Sequence, residues 1–433
     1  MNILATYTLY LCPMSLDAIE TEDTSLRYPY WKWNFVLLLS EAIFFMAGAA
    51  CIDVTAVIPV FLNNLTDSTV VIGAVLGIRC ITTLIPQIFM ARFLSHRVHA
   101  KPTLLICAYI GRVPLVFFSG WLLWGASNRN EILATFIPVY GMFMMMDACC
   151  WVPWTDMLNR TLPPRVRGWY FGWWQFFTGL LSLVSGLFVS WALKTFSFPR
   201  NFGWLHAGAA VGVMLSIFLL SLIKEPKRVQ TEDPQQTFKD YIDQICIFWH
   251  SDPAVRLCII TSAFIVFFNL SVNFYVLDAK QLPGASPVWV GRYVSAIAVG
   301  IAVGGILWNL IRDHYGTKAS LIGIAITASL IPAAALVVRE ISITAYIIPF
   351  VMYGLVSLSV WTIPTNYLLD HLGHGPRSLM VMGVINVIYG ASMLLPIVGG
   401  KFLGFASYPL LFALTFLLTV PSVYFAIRLP KAR

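Results

Sequence analysis

Apolar residues run through this chain in long blocks separated by short polar breaks, with neither the alternation of half-buried strands nor the single stripe of surface helices. Twelve blocks stand out: 35–61, 69–94, 102–124, 132–155, 168–193, 204–223, 255–278, 288–311, 319–338, 342–368, 378–400 and 407–428. A bilayer core of about 30 Å is crossed by about 20 mostly apolar helical residues. The pattern therefore predicts an all-α polytopic membrane protein with twelve transmembrane helices.

The blocks repeat. Between Trp151 and Gly186 the chain reads WVPWTDMLNRTLPPRVRGWYFGWWQFFTGLLSLVSG, an apolar segment, a basic turn around Pro163 and Pro164, and a second apolar segment. Proline breaks a helix and arginine is retained on the cytoplasmic face, so this is an inner hairpin. WTIPTNYLLDHLGHGPRSLMVMG repeats the arrangement in the second half, with Trp361, Pro364 and Arg377 standing where Trp151, Pro153 and Arg167 stand in the first. Two six-helix pseudo-repeats follow. The expected divisions are a cytoplasmic tail over 1–33, a first half over 34–223, a cytoplasmic linker over 224–254 and a second half over 255–433. Within the linker, Phe238, Tyr241, Ile242, Ile245, Phe248 and Trp249 have the spacing of an amphipathic helix lying on the membrane surface.

Composition agrees with the pattern. Of 433 residues 58% are hydrophobic and 11% charged, and the mean hydropathy is +0.77, whereas a soluble domain carries about 25% charged residues. The net charge of +8 sits in short loops, where it sets topology and does not make a nucleic-acid surface. Arg92, Arg97, Lys101, Arg160, Arg165, Arg167, Lys224, Lys227, Arg228, Arg312, Lys318 and Arg377 fall on the side of both termini, which places both termini in the cytoplasm and the chain in the cell inner membrane. Residues 3–14 are apolar but lack a basic flank, a poor signal peptide. The cysteines form no C-x-x-C pair and read as small core residues, and the histidines lack the partners of a metal site. No cofactor is expected, and a monomer is.

A charge inside a bilayer costs about 2.5–3.5 kcal/mol on insertion scales, so each one there is a functional candidate. The first half holds Glu41, Asp53, Arg79, Gln87, Arg112 and Asp147. The second holds Asn269, Asn273, Asp278, Arg292, Asn366 and Asn386. At about 1.5 Å per residue Arg79 lies roughly 15 Å deep, near the midplane, with Arg112 at similar depth. The natural pairs are Asp53 with Arg79, and Arg112 with Glu41 or Asp147. A carboxylate in a low-dielectric cavity can load a proton from one side and release it on the other, which makes Asp53, Asp147 and Glu41 the proton-coupling candidates. A guanidinium can fork a carboxylate or phosphate, which makes Arg79 a candidate for an anionic substrate. Trp151 and Trp361, at matching repeat positions, could stack a ring, although the tryptophans around 151–174 also suit an interfacial belt.

Twelve spans, both ends on one side and a central linker resemble the major facilitator superfamily of secondary transporters. Its loop motif is recognisable at Asp313-His314-Tyr315-Gly316-Thr317-Lys318 and degenerate at Ala91–Lys101, and the strings IPVFLNNLT, LIPQIFMARF and LNRTLPPRVRGWYFG are similar to bacterial members. The resemblance implies that the first, fourth, seventh and tenth spans line a central cavity. Asp53, Asp147, Asn269, Asn273 and Asn366 then contact it, Arg112 neutralises a carboxylate, and Asp313 with Lys318 forms a loop latch. The expected function is proton-coupled transport of a small organic solute by alternating access. A drug or metabolite efflux antiporter is the alternative within the class, although the fifth span lacks the Gly-Pro pattern of such antiporters. A membrane-embedded transferase would need a nucleophile or His/Asp cluster that the sequence lacks, and a transporter-like sensor would need a signalling domain.

Overall fold

The computed structural model describes residues 28–95, 99–226, 247, 249–372 and 376–430. The predicted linker helix falls almost wholly outside these, as does most of the tail. Among the described residues, eleven helices are long and apolar enough to cross a membrane. The remaining predicted block forms the helix Thr69–Ser95. All twelve blocks thus carry helix, and ordinal numbers below follow the blocks.

Several helices overrun their apolar blocks because polar residues continue the hydrogen-bond ladder into the loops. The fourth span runs Arg129–Thr161, with the Asn128 side chain accepting the Asn130 N–H at its start, a capping contact suited to its first turn. The fifth runs Pro164–Thr195, with proline at the first helical position, where its missing N–H costs nothing.

Five spans are interrupted where a continuous helix was expected: the tenth at Leu358, the eleventh between Ser392 and Leu395, the twelfth at Val420, and, at greater length, the first and the seventh. The first comprises Trp31–Cys51 and Val57–Leu65. The seventh is α-helical over Pro253–Ile265, tightens to 3-10 turns at Val266–Leu270 and Val272–Phe274, and ends in Tyr275–Ala279. The breaks in the first and seventh spans stand at corresponding places in the two halves.

In the first half the first and third spans pack on the sixth, and the fourth packs on the second and third, while in the second half the ninth packs on the tenth and twelfth. The halves meet along two seams, fifth span against eighth and second against eleventh. These are one contact repeated, since exchanging the halves turns either pair into the other. We call the end of the bundle opposite the termini the distal end. There Thr69 Oγ1 donates to the Gly400 carbonyl at 2.9 Å and Ser190 Oγ to the Val288 carbonyl at 3.0 Å. Gly186 and Gly291 bring two backbones into contact, and a Cβ on Gly291 would collide with the Gly186 carbonyl and with Ser190. Small residues let helices approach this closely. Gly172, on the fifth span, has open space beside it, and Gly300 and Gly304 serve the eighth–tenth contact within the second half.

Gly291→Ala should therefore overpack the seam and cost about 1–3 kcal/mol, read as a lower melting temperature of the purified protein, whereas Gly172→Ala should leave it unchanged. Equal melting temperatures for both variants would mean that the seam tolerates a methyl group.

Candidate functional site

Asp53 makes the break in the first span. Its Oδ1 accepts the N–H groups of Thr55 at 2.9 Å and Ala56 at 2.7 Å, and its carbonyl accepts those of Val57 and Ile58, both at 2.9 Å. A short carboxylate that takes local N–H groups offers the backbone an alternative to the helix ladder, ending one helix and opening the next. Only one carboxylate oxygen is used in this way. The other remains available for chemistry.

Arg79 projects from the second span into a group drawn from both halves. Its electrostatic neighbours are Tyr140 on the fourth span, Tyr389 on the eleventh, Tyr353 on the tenth, and Asp53. Thr55, in the break, lies beside the Tyr353 hydroxyl. Arg79 Nε and the Tyr140 hydroxyl are buried and have no hydrogen-bond partner, and among the described residues no carboxylate lies within ion-pair distance of Arg79. A buried guanidinium ordinarily has its donors satisfied. The expected Asp53 and Arg79 are therefore neighbours without a direct ion pair, and the three tyrosines belong with them.

Arg112 organises a second, closed network. Its Nη2 lies 3.8 Å from Asp147 Oδ1, its Nη1 donates to Ser216 Oγ at 3.0 Å and to the Val213 carbonyl at 3.3 Å, and its guanidinium stacks on Phe45 at 4.8 Å. Ser216 Oγ donates on to Glu41 Oε1 at 2.8 Å, and Trp154 Nε1 donates to Glu41 Oε2 at 3.0 Å. Both expected partners of Arg112 are thus engaged, Asp147 directly and Glu41 through Ser216. Glu41 and Arg112 are buried, while the Asp147 side chain is 40% exposed. Asp147 interacts electrostatically with Arg79 as well as with Arg112, which links the two networks. It stands two helical turns from Tyr140 on the same face of the fourth span.

Three turns nearer the termini end than Tyr140 and one turn beyond Asp147, Trp151 meets Trp361 edge to face at 6.5 Å and stacks on Trp154 at 5.6 Å. The pair joins the halves. Trp154 and Tyr170 are buried against the Glu41 network, which corrects the expectation of an interfacial belt for Trp154, since its N–H is needed by a buried carboxylate. In the second half Asn269 Nδ2 donates to Ser392 Oγ at 2.9 Å, tying the seventh span to the eleventh. Asn273 is buried beside that break and Asn366 is half-buried. Among the described residues no hydrogen bond ties either to the two networks. Asp313 pairs with its neighbour Arg312 at 3.2 Å, and no ion pair joins it to Lys318. His371, in the last turn of the tenth span, meets Asp252 at 3.0 Å.

Sequence reasoning missed Tyr140, Tyr353, Tyr389, Ser216 and Trp154. Charges stand out in an apolar block, whereas a tyrosine or serine is common there. The available signal was register, since Val213 and Ser216 lie one turn apart on a face that Arg112 could reach.

With this geometry in place the chain can be compared with known proteins. A model of the Major Facilitator Superfamily matches residues 37–396. The chain belongs to this superfamily. It is a multi-pass membrane transporter, and the superfamily is one of transporters and not of enzymes. Among solved structures, a variant of the nucleoside transporter NupG superposes with a TM-score of 0.69 at 14% identity, covering 92% of this chain and 100% of that one. The D-xylose-proton symporter gives 0.69 at 12% identity, covering 93% and 99%. The E. coli fucose:proton symporter FucP gives 0.60 at 12% identity, covering 93% and 99%. At such identities the likeness is one of fold. No curated protein sequence matches the chain.

Arg112→Ala should strand Glu41 as an uncompensated buried charge and destabilise the protein by about 3–5 kcal/mol. Adding Glu41→Gln should recover part of that loss in the melting temperature. A double variant no more stable than Arg112→Ala alone would show that Arg112 does not serve Glu41.

Proposed function

We propose that the chain is a secondary active transporter that carries a small organic solute bearing an acidic group across the cell inner membrane, coupled to protons, by alternating access. One observation carries the substrate class. Arg79 has an unpartnered, buried Nε among tyrosines of both halves, and a guanidinium in such a place is suited to fork a carboxylate. Tyr140, Tyr353 and Tyr389 then supply hydroxyls to the same solute. Because they come from both halves, the solute is gripped by each and can bias their arrangement.

Asp53 and Asp147 are the proposed proton carriers. Each keeps carboxylate capacity beyond its fixed contacts, and both are electrostatically coupled to Arg79. Glu41 has both oxygens engaged and serves with Arg112 as a fixed brace. With both termini cytoplasmic, the distal end faces outward. A tight distal seam together with Trp151, 43% exposed on the face between the halves, fits a state open toward the cytoplasm above a thin Trp151–Trp361 contact. The sugar and nucleoside transporters of similar fold, two of them proton symporters by name, support the solute and proton assignments.

The test has two arms. A thermal-shift screen should find an organic acid that stabilises the protein, by about 2.7 kcal/mol at a hundred times its dissociation constant. Arg79→Lys should then lose affinity on the order of tenfold, since lysine keeps the charge but not the fork. Stabilisation by neutral sugars and by no acid would overturn the substrate class. For coupling, Asp53→Asn is a clean variant because the amide oxygen can still accept from Thr55 and Ala56. It should abolish proton-driven accumulation in proteoliposomes while counterflow persists, and wild-type accumulation would remove Asp53 from the mechanism.

A further inference from the structure

A second set of underused polar groups lies away from the central cluster, at the distal end. A cavity of about 190 Å³ opens there between the halves. The first half contributes Val60, Asn64 and Asn201 to its wall, and the second contributes Lys280, Trp289 and Tyr293.

The polar groups in this wall are donors with capacity to spare. Lys280 Nζ donates to Asn63 Oδ1 across the seam at 2.6 Å, which uses one of its three N–H groups, and among the described residues no carboxylate lies within ion-pair distance. The nearest acid in sequence is already taken, since Asp278 accepts from Tyr346 at 2.8 Å and faces Arg339 at 3.5 Å. Lys280 is exposed at the edge of the cavity, so its two remaining N–H groups are open to an anion. Tyr293 is 1% exposed and its hydroxyl has no hydrogen-bond partner. The Asn201 amide oxygen accepts its own helix's Phe202 N–H at 2.9 Å, which leaves its amide donors toward the cavity.

We propose that this cavity is a binding site for a small monocarboxylate anion, distinct from the Arg79 site, and that its occupant holds the two halves together at the distal end. An ammonium, a phenol and an amide donor answer the two oxygens of a carboxylate, while Val60 and Trp289 offer an apolar wall to a short tail. The volume equals about six waters at about 30 Å³ each, room for an anion of about six non-hydrogen atoms. A ligand that contacts both halves in one arrangement and not in the other shifts the protein toward the first. An occupied site therefore favours the distal-closed state and slows turnover. That consequence rests on the alternating-access reading above, whereas the binding does not.

Butyrate, with six non-hydrogen atoms, is the probe, and butyramide is its uncharged counterpart. Binding is measured on purified full-length protein by Trp fluorescence and by thermal shift. Wild type should bind butyrate saturably and butyramide weakly or not at all. Lys280→Ala and Tyr293→Phe should each weaken butyrate on the order of tenfold, and Lys280→Arg should restore most of the affinity. Tyr293→Phe removes a single atom, so it keeps the test decisive if the lysine variant fails to fold. Arg79→Gln should leave butyrate binding intact. The inference is overturned if wild type shows no saturable binding, if butyramide binds as well as butyrate, or if Tyr293→Phe has no effect. It is also overturned if Arg79→Gln abolishes binding, which would put butyrate in the central site and leave the substrate assignment standing alone.

Discussion

A helix can be interrupted within a bilayer only where the backbone groups it frees find partners inside the protein. The break in the first span meets that condition with one side chain. Asp53 accepts two N–H groups on its carboxylate and two on its carbonyl, so the chain can stop one helix and start another without exposing a donor to lipid. Much of the molecule depends on that local closure. The released segment Val57–Leu65 reaches the corresponding tip of the seventh span, Tyr275–Ala279, and the distal end closes where these two tips meet. The same break leaves Asp53 within electrostatic reach of Arg79 in the middle of the bundle. Seam and central cluster thus share an origin in a single aspartate within an apolar run.

Much of this was legible in the sequence, and the reason is the cost of charge in lipid. Twelve apolar blocks, the repeat around Trp151 and Trp361, and the grouping of Arg112 with Glu41 and Asp147 all follow from placing apolar lengths and charges by helical rise. The break at Asp53 was not legible, because Asp53 reads equally as a charge in a continuous helix and as a cap. Nor were the three tyrosines around Arg79. A phenol costs little in an apolar block, and its role appears only when helices from different halves bring Tyr140, Tyr353 and Tyr389 to one guanidinium. Ser216 and Trp154 escaped for the same reason. They became significant only through the lone pairs of Glu41 that they satisfy.

The two arginines show how one residue type takes two roles from its surroundings. Arg112 has a carboxylate, a serine, a backbone carbonyl and a ring face around it, all within one half. Such a site is closed, and it braces the first, third, fourth and sixth spans as a unit. Arg79 has its tyrosines on elements that belong to opposite halves. Any motion between the halves changes its surroundings, while the same motion leaves Arg112 untouched. Asp147 senses both arginines, so a change at Arg79 reaches the braced unit through one carboxylate.

The seams add a mechanical constraint. Fifth against eighth and second against eleventh are small-residue contacts in which backbones touch, at Gly186 with Gly291 and at Gly73 with Gly400. Surfaces without long side chains can slide or pivot with little repacking, whereas interlocked leucines would have to disengage. The halves are therefore held by contacts that permit rocking, and braced internally by contacts that do not. Between the two seams lies the Arg79 cluster, the place where a ligand touching both halves has the greatest effect on their balance. A ligand shifts that balance only by its difference in affinity between the two arrangements. A guanidinium whose neighbours come from both halves is suited to make that difference large.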